Sequence, residues 1–221
     1  MSTEKHGETV VKSYYNYFSG LFHRNKNLLI VSFSLYFGAL VLGVLVGYFY
    51  TDPIKNFINV LVKTDRQFLS KNGLTTSSIF LHNLQSIIIT FAGGLIGVVT
   101  GIILFFNGFI YGAFLGYFAS NNHTLGGQVS SIGPLTPAKF IIYTLPHGIF
   151  EISGFIIAGA AGFRLTLTVI KLLGKNVEFK DHHGDLKDAL ALFGIAVVLT
   201  FIAAIIEANF SLSIGSYILK L

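Results

Sequence analysis

Long apolar blocks divided by short polar ones dominate this chain. Residues 1–27 are polar, then mixed aromatic and basic. They predict a short interfacial helix, with aromatics on one side and Lys12, Arg24 and Lys26 at the head groups. An apolar run from Leu28 to Tyr50 predicts a first crossing, with Tyr48 and Tyr50 at the interface that tyrosine favours. Residues 51–82 are amphipathic: Ile54, Phe57, Ile58, Leu61 and Val62 recur at helical spacing, with Lys55, Lys63, Asp65 and Arg66 between them. Asp52-Pro53 suits a helix start. The spacing predicts a surface helix and then a loop around Asn72-Gly73.

Residues 83–106 predict the second crossing. The 13 residues from Gly108 to Ser120 would make a helix of about 20 Å, against about 30 Å of hydrocarbon. That predicts a short crossing in a thinned site or a re-entrant half-helix. A polar Gly/Ser/Pro loop covers 121–137. Residues 138–163 are apolar again, interrupted by Pro146-His147-Gly148 and containing Glu151. A charged loop covers 164–188, and 189–209 predict the last crossing, with Glu207 near its end.

The fold class expected is therefore all-α: a polytopic α-helical membrane protein of about five crossings with amphipathic interfacial helices. Its organisation would be an interfacial arm at 1–27 and one transmembrane domain at 28–221. Composition agrees, with 52% hydrophobic and 11% charged residues, against about 25% charged in soluble domains. With five crossings, the N-terminus and the 164–188 loop share one side. They hold nine of the fifteen Lys and Arg. The positive-inside rule then predicts a multi-pass protein of the cell membrane with a cytoplasmic N-terminus. The first apolar run is too long for a cleavable signal peptide, so none is predicted. No basic stripe interleaved with aromatics suggests nucleic acid. The chain has no cysteine, which excludes disulfides, thiolate metal sites and cysteine nucleophiles.

Glycines fall at every fourth position in two series, Gly93-Gly97-Gly101 and Gly108-Gly112-Gly116, and Gly159 and Gly162 lie further on. A helix face without side chains lets another backbone approach. Such packing holds helices together in lipid, where apolar surface gives no drive to associate. Close helix contact, within the chain or between copies, is the expectation.

Few polar groups lie within the apolar blocks. Glu151 is the sharpest, because an ionised carboxylate at that depth costs at least about 2.5 kcal/mol. His147 lies one turn earlier on the same face. Pro146 frees a backbone carbonyl, and Gly148 allows close approach. The group reads as a built polar site: a proton or ion relay, a ligand site or a partner-helix contact. It reads equally as a buried pair that fixes packing. One His and one Glu are fewer ligands than catalytic zinc takes, so no metal or cofactor is predicted. Glu207 reads as an interfacial carboxylate or as a partner for His147 or Arg164. Asn107 reads as a cap at a tight turn before Gly108. Arg164 reads as a snorkelling side chain. His182-His183 reads as a solvated loop pair.

Three segments together resemble the stage II sporulation protein M family. They are Phe106-Asn107-Gly108-x-x-x-Gly112-x-x-x-Gly116, Pro146-His147-Gly148-x-x-Glu151 with Gly159-Ala-Ala-Gly162, and Ala203-Ala-Ile-Ile-Glu207. Asn107, His147, Glu151 and Glu207 match that family's polar pattern by position. The resemblance implies a five-crossing membrane protein. It also implies a scaffold like the founding member, which holds cell-wall-degrading partners at the septal membrane. The function expected is thus a non-enzymatic scaffold in the lipid bilayer, with partner membrane proteins or a homo-oligomer. The alternative is a small transporter or channel using His147 and Glu151. An intramembrane hydrolase is disfavoured, because no nucleophile–base pair is evident.

Overall fold

The computed structural model describes residues 15–73, 75–120, 136–174 and 183–211, and these are helical with short connections. Helix α1 covers 15–24 and turns at Asn25 into α2, Lys26–Phe49. Helix α3 is Thr51–Asn72 and α4 is Thr76–Ala92, followed by a 3-10 turn at Gly93–Leu95. Helix α5 is Val98–Ala119, α6 is Pro137–Leu172 and α7 is His183–Asn209. Five helices, α2 and α4–α7, are long and apolar enough to cross a membrane. The loop at 121–135, the arm before residue 15, and Lys175, Glu178, Lys180, Asp181 and His182 lie outside the described residues. His183 begins α7 and is exposed.

Several boundaries differ from the sequence reading. The amphipathic segment ends at Asn72, not at 82. Gly73, at φ 72°, terminates α3 in the left-handed conformation, and a Thr75–Ser78 capping box starts α4 at once. The second crossing is therefore Thr76–Leu95, and Gly93, Gly97 and Gly101 do not line one helix. They straddle the α4–α5 turn. Gly97 sits at φ 76° and Gly94 lies against the Gly162 carbonyl. Thr100 donates to the Thr90 carbonyl at 2.8 Å, and Thr166 donates to the Gly94 carbonyl at 2.8 Å, closing that turn. A Cβ on Gly101 would meet only ordinary neighbours, the nearest at 3.7 Å. A Cβ on Gly97 would meet Thr166 Cγ2 at 2.7 Å in a conformation that L-residues avoid. Gly97→Ala is expected to cost about 1–2 kcal/mol, read as a lower unfolding midpoint in detergent.

The segment from Gly108 to Ser120 is neither short nor re-entrant. It is the second half of α5, whose 22 residues reach about 33 Å. Asn107 does not cap a turn. Its amide donates to the Ile103 carbonyl one turn back at 2.8 Å, so the helix satisfies it and continues. Gly108, Gly112 and Gly116 then face α2, against the carbonyls of Tyr36, Leu40 and Val44. Gly43 and Gly47 of α2 answer them, against Phe109 and Ala113 of α5. The two backbones therefore touch along this seam, within one chain. Helix α6 runs to Leu172, well past 163. Thr136 caps it by accepting from the Lys139 amide, and Pro137 occupies the first turn, where no donor is needed.

The chain order places the helix ends. Tyr17 and Arg24 bond Asp188, so the N-terminal helix, the end of α6 and the start of α7 share one end. Asn209 bonds Thr76 at 3.3 Å, and Ile54 and Ile58 of α3 cluster with Ala113, Tyr117 and Phe118 of α5, so α3 belongs to the opposite end.

Candidate functional site

A polar pocket of about 250 Å³ lies toward the α3 end of the bundle, lined in part by His147, Glu151 and Glu207. Glu151 and His147 are one helical turn apart on α6, each about nine-tenths buried. They do not bond one another. Glu151 Oε2 accepts from the Tyr111 hydroxyl of α5 at 2.9 Å. His147 Nδ1 pairs with the Ser211 hydroxyl, just past α7, at 2.8 Å. Glu207 comes from the last turn of α7, and His82 and Asn83 come from α4. Phe68 of α3 packs on the His82 ring, with centroids 4.9 Å apart. Asn107 is not among the lining residues.

Tyr111 has a second role in the geometry. It lines both this pocket and an apolar groove of about 650 Å³ between α2 and α6. The α6 wall of the groove runs from Phe140 to Ile157, about 26 Å of helix. Thr144, Gly148 and Ser153 are the small residues on that wall. The sequence reading missed Tyr111. Its signal was a tyrosine inside a crossing rather than at an interface, where its hydroxyl needs a partner.

A second polar cluster sits at the other end. Asp188, whose side chain is 5% exposed, accepts from Arg24 Nε at 3.0 Å and Nη2 at 2.8 Å. It also accepts from the Tyr17 hydroxyl at 2.8 Å and the Asn25 amide at 3.0 Å. Burial, and then the bond to Asp188 and its charge, push the Tyr17 hydroxyl up to about 12. The bond to Asp188 likewise raises the Arg24 guanidinium above its ordinary value. Arg164 does not snorkel to the head groups. It donates to Asn25 Oδ1 at 2.7 Å, to the Arg24 carbonyl at 3.0 Å and to Asp185 at 3.2 Å. Charge-assisted bonds to three acceptors hold the guanidinium inside the protein. This cluster joins α1, α6 and α7.

Five helices long and apolar enough to cross a membrane, with no strand among the described residues, define an all-helical, multi-pass membrane protein. The profile described as stage II sporulation protein M matches residues 28–212, and the chain belongs to that family. It is also 32% identical over 180 residues to the uncharacterized protein MJ0793 of Methanocaldococcus jannaschii, covering 80% of this chain and 92% of that protein. No solved structure matches.

Proposed function

We propose that this protein is a non-enzymatic membrane scaffold, and that the groove between α2 and α6 receives a transmembrane helix of a partner protein. The observation that carries this reading is the groove itself. It follows α6 for about 26 Å, most of the hydrocarbon depth. Its wall carries Thr144-x-x-x-Gly148, the small-residue spacing by which helices approach closely in lipid. The chain's own small-residue contacts, such as Gly108 to Gly116 on α2 and Gly94 on Gly162, are already occupied internally. By the positive-inside rule, the end that receives the N-terminal arm and the 164–188 segment, which together hold nine of the fifteen Lys and Arg, faces the cytoplasm.

Photo-cross-linking tests the docking. A photoreactive residue at Ile149, on the groove, is expected to give a discrete protein adduct in native membranes, and one at Val198, on the outer face of α7, is not. Gly148→Leu, which fills the groove, is expected to reduce the Ile149 adduct at least tenfold. Adducts to lipid alone, or equal protein adducts from both positions, would overturn the reading.

A further inference from the structure

The polar pocket places two carboxylates, Glu151 and Glu207, beside two imidazoles, His82 and His147. No lysine or arginine is among its described lining residues, so it supplies no permanent counter-charge to an ionised Glu151. An independent observation points to the same spot. The Tyr36 hydroxyl of α2 is fully buried and has no hydrogen-bond partner among the described residues, and Tyr36 packs in one core cluster with Tyr111, the donor to Glu151. An unsatisfied buried hydroxyl is costly, and native proteins retain one where water or a functional change of state satisfies it. Glu151 offers such a change. Ionised, it only accepts, as it does from Tyr111. Protonated, it becomes a donor as well, the kind of group an unsatisfied hydroxyl oxygen can accept from.

We propose that Glu151 is a reversible proton-binding site filled through this pocket, and that Tyr111 transmits its state to the groove. The titratable groups around it come from every packed helix: Tyr36 from α2, His82 from α4, Tyr111 from α5, His147 from α6 and Glu207 from α7. Glu207 and His147, nearer the α3 end, pass the proton between Glu151 and the aqueous phase. Tyr111 is the shared wall. Its hydroxyl donates to the ionised carboxylate and is left with a weaker, neutral acceptor when the proton binds, while its ring lines the groove. The second half of the proposal gains its biological meaning from the docking reading, but its test needs no partner.

Infrared difference spectra of the full chain in nanodiscs, taken between acid and neutral pH, report a protonated carboxyl. A pH-dependent band is expected in the wild type and after Glu207→Gln, and is expected to be lost after Glu151→Gln. Tyr36→Phe and Tyr111→Phe keep the carboxyl, so each is expected to shift the band's frequency even where Glu151→Gln does not fold. An environment-sensitive fluorophore on Ile149→Cys, a unique thiol in this cysteine-free chain, reads the groove. Its emission is expected to follow pH in the wild type and to stop following it after Tyr111→Phe. No band in the wild type, or one indifferent to Glu151→Gln and to both tyrosine variants, overturns the proton site. A band with a groove response that survives Tyr111→Phe overturns the relay alone. Neither result touches the cross-linking test of docking.

Discussion

Replacing Gly112 by alanine is expected to destabilise the protein by about 3 kcal/mol, and Gly112→Leu to abolish the folded state. A single methyl there overlaps the Leu40 carbonyl oxygen and approaches the Val44 amide at 2.9 Å. Both are backbone atoms, so no side-chain rotation relieves the overlap. The helices must separate, and Gly43, Gly47, Gly108 and Gly116 then lose their carbonyl contacts together. Such Cα–H···O contacts contribute about 0.5–1 kcal/mol each. Gly38 is the internal control. It lies on the same helix as Gly43, is exposed, and a Cβ there has no neighbour within 4 Å. Gly38→Ala is expected to be neutral or stabilising by up to about 1 kcal/mol, because alanine lowers the entropy lost in a helix. Unfolding in mixed detergent micelles measures all three. Equal effects of Gly112→Ala and Gly38→Ala would show that the seam is not close-packed.

Asp188→Ala is expected to cost about 3–5 kcal/mol and to release the N-terminal helix. One carboxylate accepts four hydrogen bonds from three side chains, Tyr17, Arg24 and Asn25. Removing it leaves the Asn25 amide, 1% exposed, with only the Leu21 carbonyl. Arg24 is 41% exposed and re-enters water at smaller cost, so Arg24→Ala is expected to be the milder of the two. Hydrogen exchange over residues 15–24 measures the release. Protection there that survives Asp188→Ala would show that α1 is held by its apolar side, including the fully buried Leu21, and not by the cluster.

The apolar blocks predicted the crossings, because a segment must satisfy its own backbone in lipid and a helix does so locally. Boundaries were less legible. Asn107-Gly108 carries a turn-like pair of residues, yet the side-chain amide found a carbonyl one turn back and the helix ran on. Gly93 to Gly101 carried the same spacing as Gly108 to Gly116 but became a turn, because Gly97 took a positive φ and Thr166 and Gly162 packed onto it. Gly43 and Gly47 passed unnoticed in the sequence, since two glycines become a seam only when a second glycine-bearing face lies opposite. His147, Glu151 and Glu207 stood out as polar residues at apolar positions. Their partners Ser211 and Tyr111 did not, because a hydroxyl fits either environment.

The sequence by itself determined the class of this protein: helices, their membrane setting and the family. Those follow from hydropathy, period and motif, which are local along the chain. The structure decided that Gly108–Ser120 belongs to a full-length crossing. Only the tertiary structure decided which glycines meet backbones, that His147 and Glu151 bond other residues rather than each other, and that Asp188 gathers the N-terminal helix. It also decided that Tyr111 divides a polar pocket from an apolar groove. These depend on side chains as far as 171 positions apart being brought to one point, and only the packing of the helices sets those distances.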